Sequence, residues 1–495
     1  MEEVLNIIKD GMLTQQQKII ALARQAENQL ELPGLTDKEQ DYLNSDLVCD
    51  LAEGQAPYRP RYNLVDFAKF MEEGSEFLRL SSPETLAEAT NNLIILYQNI
   101  PSVTGMPVYI GELDKLLEPY IDSSSDPKST IRLFLTAIDR TLPDSFVHAD
   151  IGPEKTRAGE LILEAEKELA NSVPNLTLKY DPELTDKDFA IQAVETGLEV
   201  SKPYFANHRD YQKIFGDEYA IVSCYNALPI GGGSHTLVRM NLKAVVEKAL
   251  EEEEFLAVRL RDVSKTMLSI MDKRIAFLCE ESPFFKSNFL VKEGLLDKNK
   301  YTAMFGVYGM AEAVNLFLDG DSESGSYGKT AESQKMAKNI LDIIQNELNE
   351  HENEHSPFND GHYLLHAQSG IGEDVDTSPG CRIPYGEEPS MPEQLNFISP
   401  IHQYFPAGVS DIFTFDKTYK RNPEAILDII KGAFEKGLRL FSFYNSESDL
   451  VRITGYLVKR SEIEKLNQGE TVHKDTVVLG RDTLESSPEE NRKVR

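Results

Sequence analysis

Apolar positions along this chain recur mostly at helical spacing. Over residues 1–30, Val4, Ile7, Ile8, Ile19, Ile20 and Leu22 are interleaved with charged residues, which predicts helix. The same period returns over 84–99, 127–141, 155–171, 185–200, 237–260, 263–281, 331–350 and 423–437. Between the later helices lie short segments dense in glycine, proline and aromatic residues: 101–111, 219–236, 362–386 and 404–415. Helices alternating with short extended segments predict an α/β architecture. A loop-rich stretch containing APYRPR (56–61) follows the first helical region. There is no internal repeat and no long linker. The expected flexible stretches are 319–330 and the polar tail after about residue 468. The run from Tyr301 to Leu318 is strongly apolar, yet Glu312 and Asn315 interrupt it and Gly306 and Gly309 punctuate it. It reads as buried elements rather than a membrane span.

Composition narrows the function classes. With 495 residues, 41% of them hydrophobic, the chain can build a sizeable core in two or three domains. Its formal charge is −31. Such a surface repels phosphate backbones and anionic lipid, so neither nucleic acid nor a membrane is an expected partner. The four cysteines, Cys49, Cys224, Cys279 and Cys381, include no CxxC pair, which argues against a zinc ribbon or a thioredoxin-like site. So few cysteines fit a reducing compartment. The start, MEEVLNIIKDGMLTQQQ, lacks the basic residues and apolar run of a signal peptide, and the expected location is cytoplasmic.

Two segments carry the chemistry. The first, DLVRITGYLV (449–458), places Gly455 between apolar residues near the end of the sequence. By itself it reads as a strand broken by a glycine turn. Glycine also has a chemical use here. A radical at a glycine Cα is flanked by an amide donor and a carbonyl acceptor that delocalise the spin, and it flattens without steric strain because no side chain is attached. The second segment, YAIVSCYNALP (219–229), places Cys224 after an apolar run. By itself it reads as a buried cysteine. A thiol beside a glycyl radical would instead supply a hydrogen atom and become a sulfur radical able to attack substrate C–H bonds. Cys279 falls in a helical pattern, Cys381 in a Pro-Gly turn and Cys49 near the start.

Arg-x-x-Gly-Tyr at 452–456 resembles the glycyl radical signature, and YAIxxC at 219–224 resembles the cysteine loop of pyruvate formate-lyase and its relatives. CDLAEG (49–54), PSVTGMP (101–107), LVKEGL (290–295), MFGVYGMAEAVN (304–315) and LHAQSG (365–370) extend the likeness along the chain, to the YjjI-type branch of glycyl radical enzymes. The resemblance implies a ten-stranded α/β barrel of two antiparallel five-stranded half-barrels ringed by helices, with the cysteine and glycine loops meeting inside. It divides the chain into a barrel domain over 1–430, a glycine radical domain over 431–475 and a polar tail over 476–495. It implies an oxygen-sensitive organic radical of anaerobic metabolism, stored on Gly455 and passed to Cys224. No cofactor is bound permanently: a separate activating enzyme using S-adenosylmethionine and an iron–sulfur cluster installs the radical. A small-molecule substrate and a homodimer are also implied.

The departures limit the reaction. Pyruvate formate-lyase uses two adjacent cysteines, and here Ser223 occupies the neighbouring position. Radical dehydratases and several lyases carry Gly-Cys-x-Glu, whereas here Asn226 stands two residues after Cys224, and an amide cannot take a proton. Anaerobic ribonucleotide reductases carry a C-terminal four-cysteine zinc site, and no cysteine follows Cys381. The leading expectation is hydrogen abstraction from a small polar substrate, followed by cleavage, elimination or rearrangement. An acyltransferase like pyruvate formate-lyase and a non-catalytic barrel-shaped binding protein stay open as alternatives.

Further candidates follow from local chemistry. Glu293 and Glu312, in apolar surroundings, are candidate acid/base groups or buried carboxylates paired within the fold. His366 is a candidate for substrate binding or proton relay, or a core histidine. GGGSHT (231–236) reads as a helix entry, where backbone amides with Ser234 and His235 could hold an anionic group. Arg239 and Arg382 are candidate partners of an anionic substrate. His351 and His355, four apart, suggest either a metal face or a solvated helix end.

Overall fold

We describe a computed structural model covering residues 2–27, 29–49, 56–101, 107–142, 144–222, 225–249, 251–318, 327–367, 377–453, 455–474 and 477. Apart from Val477, the expected tail over 476–495 lies outside it, as does most of 319–330. In chain order the described strands begin with β1 (Val48–Cys49), β2 (Tyr62–Leu64), β3 (Tyr109–Glu112), β4 (His148–Ile151), β5 (Asn175–Tyr180) and β6 (Tyr204–Asn207). There follow β7 (Tyr219–Val222), β8 (Asn226–Pro229), β9 (Gly232–Asn241), β10 (Tyr301–Tyr308) and β11 (Leu364–Ala367). The last are β12 (Asp411–Phe415), β13 (Leu440–Asn445), β14 (Leu450–Arg452) and β15 (Leu457–Lys459).

The strands form two mixed sheets. In the five-stranded sheet β9, β10 and β11 run parallel, and β1 and β2 pair antiparallel with β9. The six-stranded sheet has the order β12-β13-β6-β5-β4-β3 and is parallel except where β13 meets β6. The expected barrel had five strands in each half; among the described residues the sheets hold five and six, and neither closes. Two hairpins, β7–β8 and β14–β15, stand apart from both sheets. One apolar cluster joins the first hairpin to each sheet: Tyr219, Ile221 and Leu228 from the hairpin, Leu237, Met304 and Leu364 from one sheet, and Tyr109, Tyr204 and Ala206 from the other. The hairpin therefore lies between the sheets.

Helices cover the outside, and those predicted from periodicity mostly stand where expected. The helix Pro127–Thr141 starts on an Asp126 cap with proline at its first position, and Ala331–Asn349 starts on Thr330. Residues 1–30 form two helices, Glu2–Lys9 and Gln15–Glu27. The expected helix over 237–260 is corrected: strand β9 runs to Asn241, whose side chain then caps the short helix Leu242–Glu247. Residues 231–236 accordingly enter a strand rather than a helix. Residue 431 falls inside the helix Pro423–Glu435, and β13 beyond it belongs to the six-stranded sheet. The β14–β15 hairpin keeps its own small cluster of Val451, Ile453, Tyr456 and Val458 against Phe146 and Ile463. None of the described helices is long and apolar enough to cross a membrane.

Candidate functional site

The inward face of the six-stranded sheet is polar. His148 and Asp150 on β4, Asn175, Thr177 and Lys179 on β5, and Tyr204 on β6 are all fully buried. Alternation puts each strand's set on one side, and the registers Asp150↔Thr177 and Thr177↔Tyr204 align them. Two of these side chains hold the strand that leads to the cysteine. The Ile221 N–H donates to Asp150 Oδ2 at 2.8 Å, and Lys179 Nζ donates to the Tyr219 carbonyl at 2.5 Å. Lys179 also pairs with Glu112 at 3.0 Å and lies 4.2 Å from the Tyr219 ring centroid. Burial raises the Asp150 carboxyl well above its ordinary range, against the pull of Lys179.

Tyr204 is where the two key segments come together. Arg452, three residues before Gly455, lays its guanidinium 3.7 Å from the Tyr204 ring centroid. The Tyr225 ring, one residue after Cys224, lies 5.2 Å from the same ring. The Tyr204 hydroxyl donates to Asn175 Oδ1 at 2.9 Å, which fixes the ring between them. Arg452 is buried and donates one hydrogen bond, Nη2 to the Ser201 carbonyl at 2.7 Å. Burial lowers its pKa well below the ordinary value. Burial, with the charges of Arg452 and Lys202 added, depresses His148 to about 3, so that ring stays neutral. Gly455 itself is buried, in the turn between β14 and β15, where the Ile453 N–H donates to the Tyr456 carbonyl at 3.2 Å.

Ser223 and Cys224 lie outside the described residues; the strands around them are paired, with Val222 opposite Asn226. The face of the five-stranded sheet turned toward this hairpin carries an aligned row. Cys49, Arg239, Gly306 and His366 are register partners across β1, β9, β10 and β11, and Gly408 bridges to His366. A Cβ on Gly408 would stand 2.4 Å from the Tyr225 carbonyl oxygen and 2.9 Å from the Asn226 Cα, so glycine here lets the hairpin approach the sheet. His366 is fully buried, and its Nδ1–H donates to the Gly408 carbonyl at 2.8 Å. That bond fixes Nδ1 as a donor to the main chain of the neighbouring segment. Arg382 donates from Nε to the Ser410 carbonyl at 2.8 Å and lies 5.9 Å from the Tyr225 ring centroid. Arg239 is buried over the Tyr308 ring at 4.7 Å.

Arg382 and His366 thus lie beside the hairpin that leads to and from Cys224, Arg239 lies in the same row as His366, and the Gly455 turn is linked to that hairpin through Arg452 and Tyr204; the other expected residues lie elsewhere. Glu293 accepts the N–H of Phe77, an exposed residue stacked on Phe289, so its contacts belong to the outer surface. Glu312 accepts from both the N–H and the hydroxyl of Ser378, pinning that segment to the helix Met310–Phe317, and burial raises its pKa. Ser234 donates to the Thr236 carbonyl. His235 is packed between Tyr301 and Phe285 with Nε2–H on the His355 carbonyl, and burial lowers it to about 4. His351 and His355 follow the end of the helix Ala331–Asn349 and pair separately, with Asp272 and Glu280. Burial pushes the Cys279 thiol up to about 12 and Cys381 well above its ordinary value. Sequence reasoning did not single out Asp150, Lys179 and Tyr204. Their signal is the alternation in HADI (148–151) and NLTLKY (175–180), polar residues on a face that turns out to be interior.

Residues 13–495 match the family model described as glycyl radical enzyme YjjI-like. A protein of Haemophilus influenzae is 42% identical over 501 residues, covering 100% of this chain and 98% of its own length. The protein YjjI of Escherichia coli is 41% identical, over 97% of this chain and 93% of its own. Among solved structures, the anaerobic ribonucleotide reductase of Thermotoga maritima in complex with dATP and CTP superposes with a TM-score of 0.69 at 13% identity. That match covers 94% of this chain and 93% of the reductase, and it is a likeness of fold.

Proposed function

The chain belongs to the YjjI-like family of glycyl radical enzymes, and from that premise we propose that Gly455 stores the radical and Cys224 delivers it to substrate. The observation that carries this reading is the shared ring of Tyr204, flanked by Arg452 of the glycine hairpin and by Tyr225 beside Cys224. That ring ties together segments more than 200 residues apart, one leading to Gly455 and the other following Cys224, which supports the reading that their loops work together.

The proposed cycle starts when an activating enzyme of the S-adenosylmethionine and iron–sulfur type removes one α-hydrogen from Gly455. The glycyl radical then takes the hydrogen atom of the Cys224 thiol, restoring Gly455 and leaving a thiyl radical. The thiyl radical removes a hydrogen atom from carbon of a small polar molecule held between the two sheets, and the substrate radical cleaves, eliminates or rearranges. The product radical recovers the hydrogen from sulfur. Ser223 in place of a second cysteine speaks against acyl transfer through sulfur. His366, whose Nδ1 is held by the Gly408 carbonyl beside the cysteine hairpin, is the proposed acid/base group. Glu312 holds the Ser378 segment, and the surface contacts of Glu293 support a capping role. A homodimer belongs to the same proposal.

The test is exposure of the activated protein to air. Oxygen adds to a glycyl radical and the main chain breaks there. Mass spectrometry is expected to find a new C-terminus at residue 455 in the wild type and none in Gly455→Ala. An intact chain after activation by a demonstrably competent activating enzyme contradicts the reading.

A further inference from the structure

We infer that Asn226 is a substrate-binding residue, its carboxamide oriented to engage a neutral hydroxyl of the substrate. The inference rests on the function proposed above and specifies the group that function acts beside. Asn226 is fully buried, yet neither Oδ1 nor Nδ2 has a hydrogen-bond partner among the described residues. A buried amide in that state bears a desolvation cost that the fold does not offset. The surrounding chain is well satisfied: Val222 pairs with Asn226 across the hairpin, and the Ala227 N–H donates to the Ala407 carbonyl at 2.8 Å. The unmatched groups are therefore confined to the side chain, two residues from Cys224.

The neighbourhood fits a binding role. The Asn226 Cα packs against Gly408, whose carbonyl accepts the His366 Nδ1–H, while Arg382 approaches the Tyr225 ring. The hairpin around Asn226 is otherwise apolar, with Ala227 and Leu228 fully buried, so an amide here is an exception that packing does not explain. Chemistry sets the class of ligand. A carboxamide offers one donor group and one acceptor and has no charge. A hydroxyl, which both donates and accepts, matches both ends at once. A carboxylate accepts from Nδ2 but turns its negative oxygens on Oδ1. A substrate carbon carrying a hydroxyl would thus be anchored by a residue two positions after Cys224 in the sequence, with no proton exchanged with Asn226.

The test uses the full chain before activation. Asn226→Leu keeps the branched shape without polar atoms, and Asn226→Val removes them with less bulk. At least one of the two is expected to melt about 1–4 °C above the wild type, since unsatisfied groups are removed. If both melt well below it, the fold itself uses the amide and the inference is overturned. Saturation-transfer NMR with propane-1,2-diol is expected to show transfer to the diol in the wild type and at least a tenfold loss in the variant that melts higher. No transfer, equal transfer, or transfer to acetate alone that depends on Asn226 overturns the hydroxyl assignment. Electron paramagnetic resonance on the same proteins separates the two claims. A radical signal alongside failed diol binding leaves the function standing without this inference. Diol binding through Asn226 without any radical in the wild type removes the function instead.

Discussion

Gly408→Ala perturbs the site at one atom whose consequences can be worked through. Gly408 has φ +148°, a conformation that side chains disfavour, and an added Cβ would lie 2.4 Å from the Tyr225 oxygen and 2.9 Å from the Asn226 Cα. Ordinary contacts begin near 3.4 Å. Both obstructing atoms are backbone, so no side chain can rotate away and the cysteine hairpin must retreat by ~1 Å from the sheet. Overpacking of this kind costs roughly 1–3 kcal/mol of stability. A displacement of ~1 Å at reacting groups costs about 10²-fold in rate. The rate can be read without knowing the substrate. On the proposed function, an unpaired electron on Gly455 would couple to the remaining α-hydrogen and give a doublet. Reversible transfer through the exchangeable Cys224 thiol replaces that hydrogen with deuterium in D2O and collapses the doublet to a single line. In Gly408→Ala the doublet is expected in ordinary water, with collapse in D2O slowed by about 10²-fold. Collapse at the wild-type rate would refute the argument that Gly408 sets the approach of the cysteine segment.

Tyr204→Phe keeps the ring under Arg452 and Tyr225 and loses only the bond to Asn175, so exchange close to wild type is expected. Tyr204→Ala empties the shared seat, with a stability loss of roughly 3–5 kcal/mol and much slower exchange, and equal exchange in both variants would deny the ring its role. His148 and His235 are held near 3 and 4, below the ordinary 6.5, so as pH falls below 6.5 the unfolded chain takes up protons that the native one refuses. Each histidine therefore removes up to about 1.4 kcal/mol of stability per pH unit until its folded value is reached. Asp114, raised by burial to about 6, has the opposite sign: its contribution is lost as pH rises from 3.8 towards 6. Denaturant unfolding between pH 6.5 and 4.5 should accordingly give a shallower decline in His148→Gln and a steeper one in Asp114→Asn than in the wild type. Iodoacetamide at pH 8 should leave Cys279 and Cys381 unmodified over the time in which an ordinary exposed thiol is alkylated, as peptide mass spectrometry would show.

The helices were legible because their apolar stripes coincide with capping residues, as at Asp126 and Thr330. Strand β9 was not. Its residues are buried on both faces, Leu237 in the cluster with the β7–β8 hairpin and Val238 and Met240 in the main core, so LVRM (237–240) shows no period of two and ran on into the helix behind it. Gly455 and Cys224 stood out because the motifs around them resemble the family's glycine and cysteine loops, and the roles proposed for them rest on that likeness. The polar lining of the six-stranded sheet was hidden for the converse reason. Alternation such as His148–Asp150 or Thr177–Lys179 is what a solvent-facing strand also shows, and only the fold reveals that this face looks inward. The role of Gly408 depends on a hairpin almost 200 residues away, and the orphaned Asn226 on an absence of partners; neither is written in a local pattern.

The central claim is tested most directly by anaerobic electron paramagnetic resonance after incubation with the cognate activating enzyme and S-adenosylmethionine. The account predicts a doublet that is absent in Gly455→Ala, collapses in D2O, and persists uncollapsed in Cys224→Ser. No signal from a demonstrably competent activating enzyme, or a doublet that survives in Gly455→Ala, would contradict it.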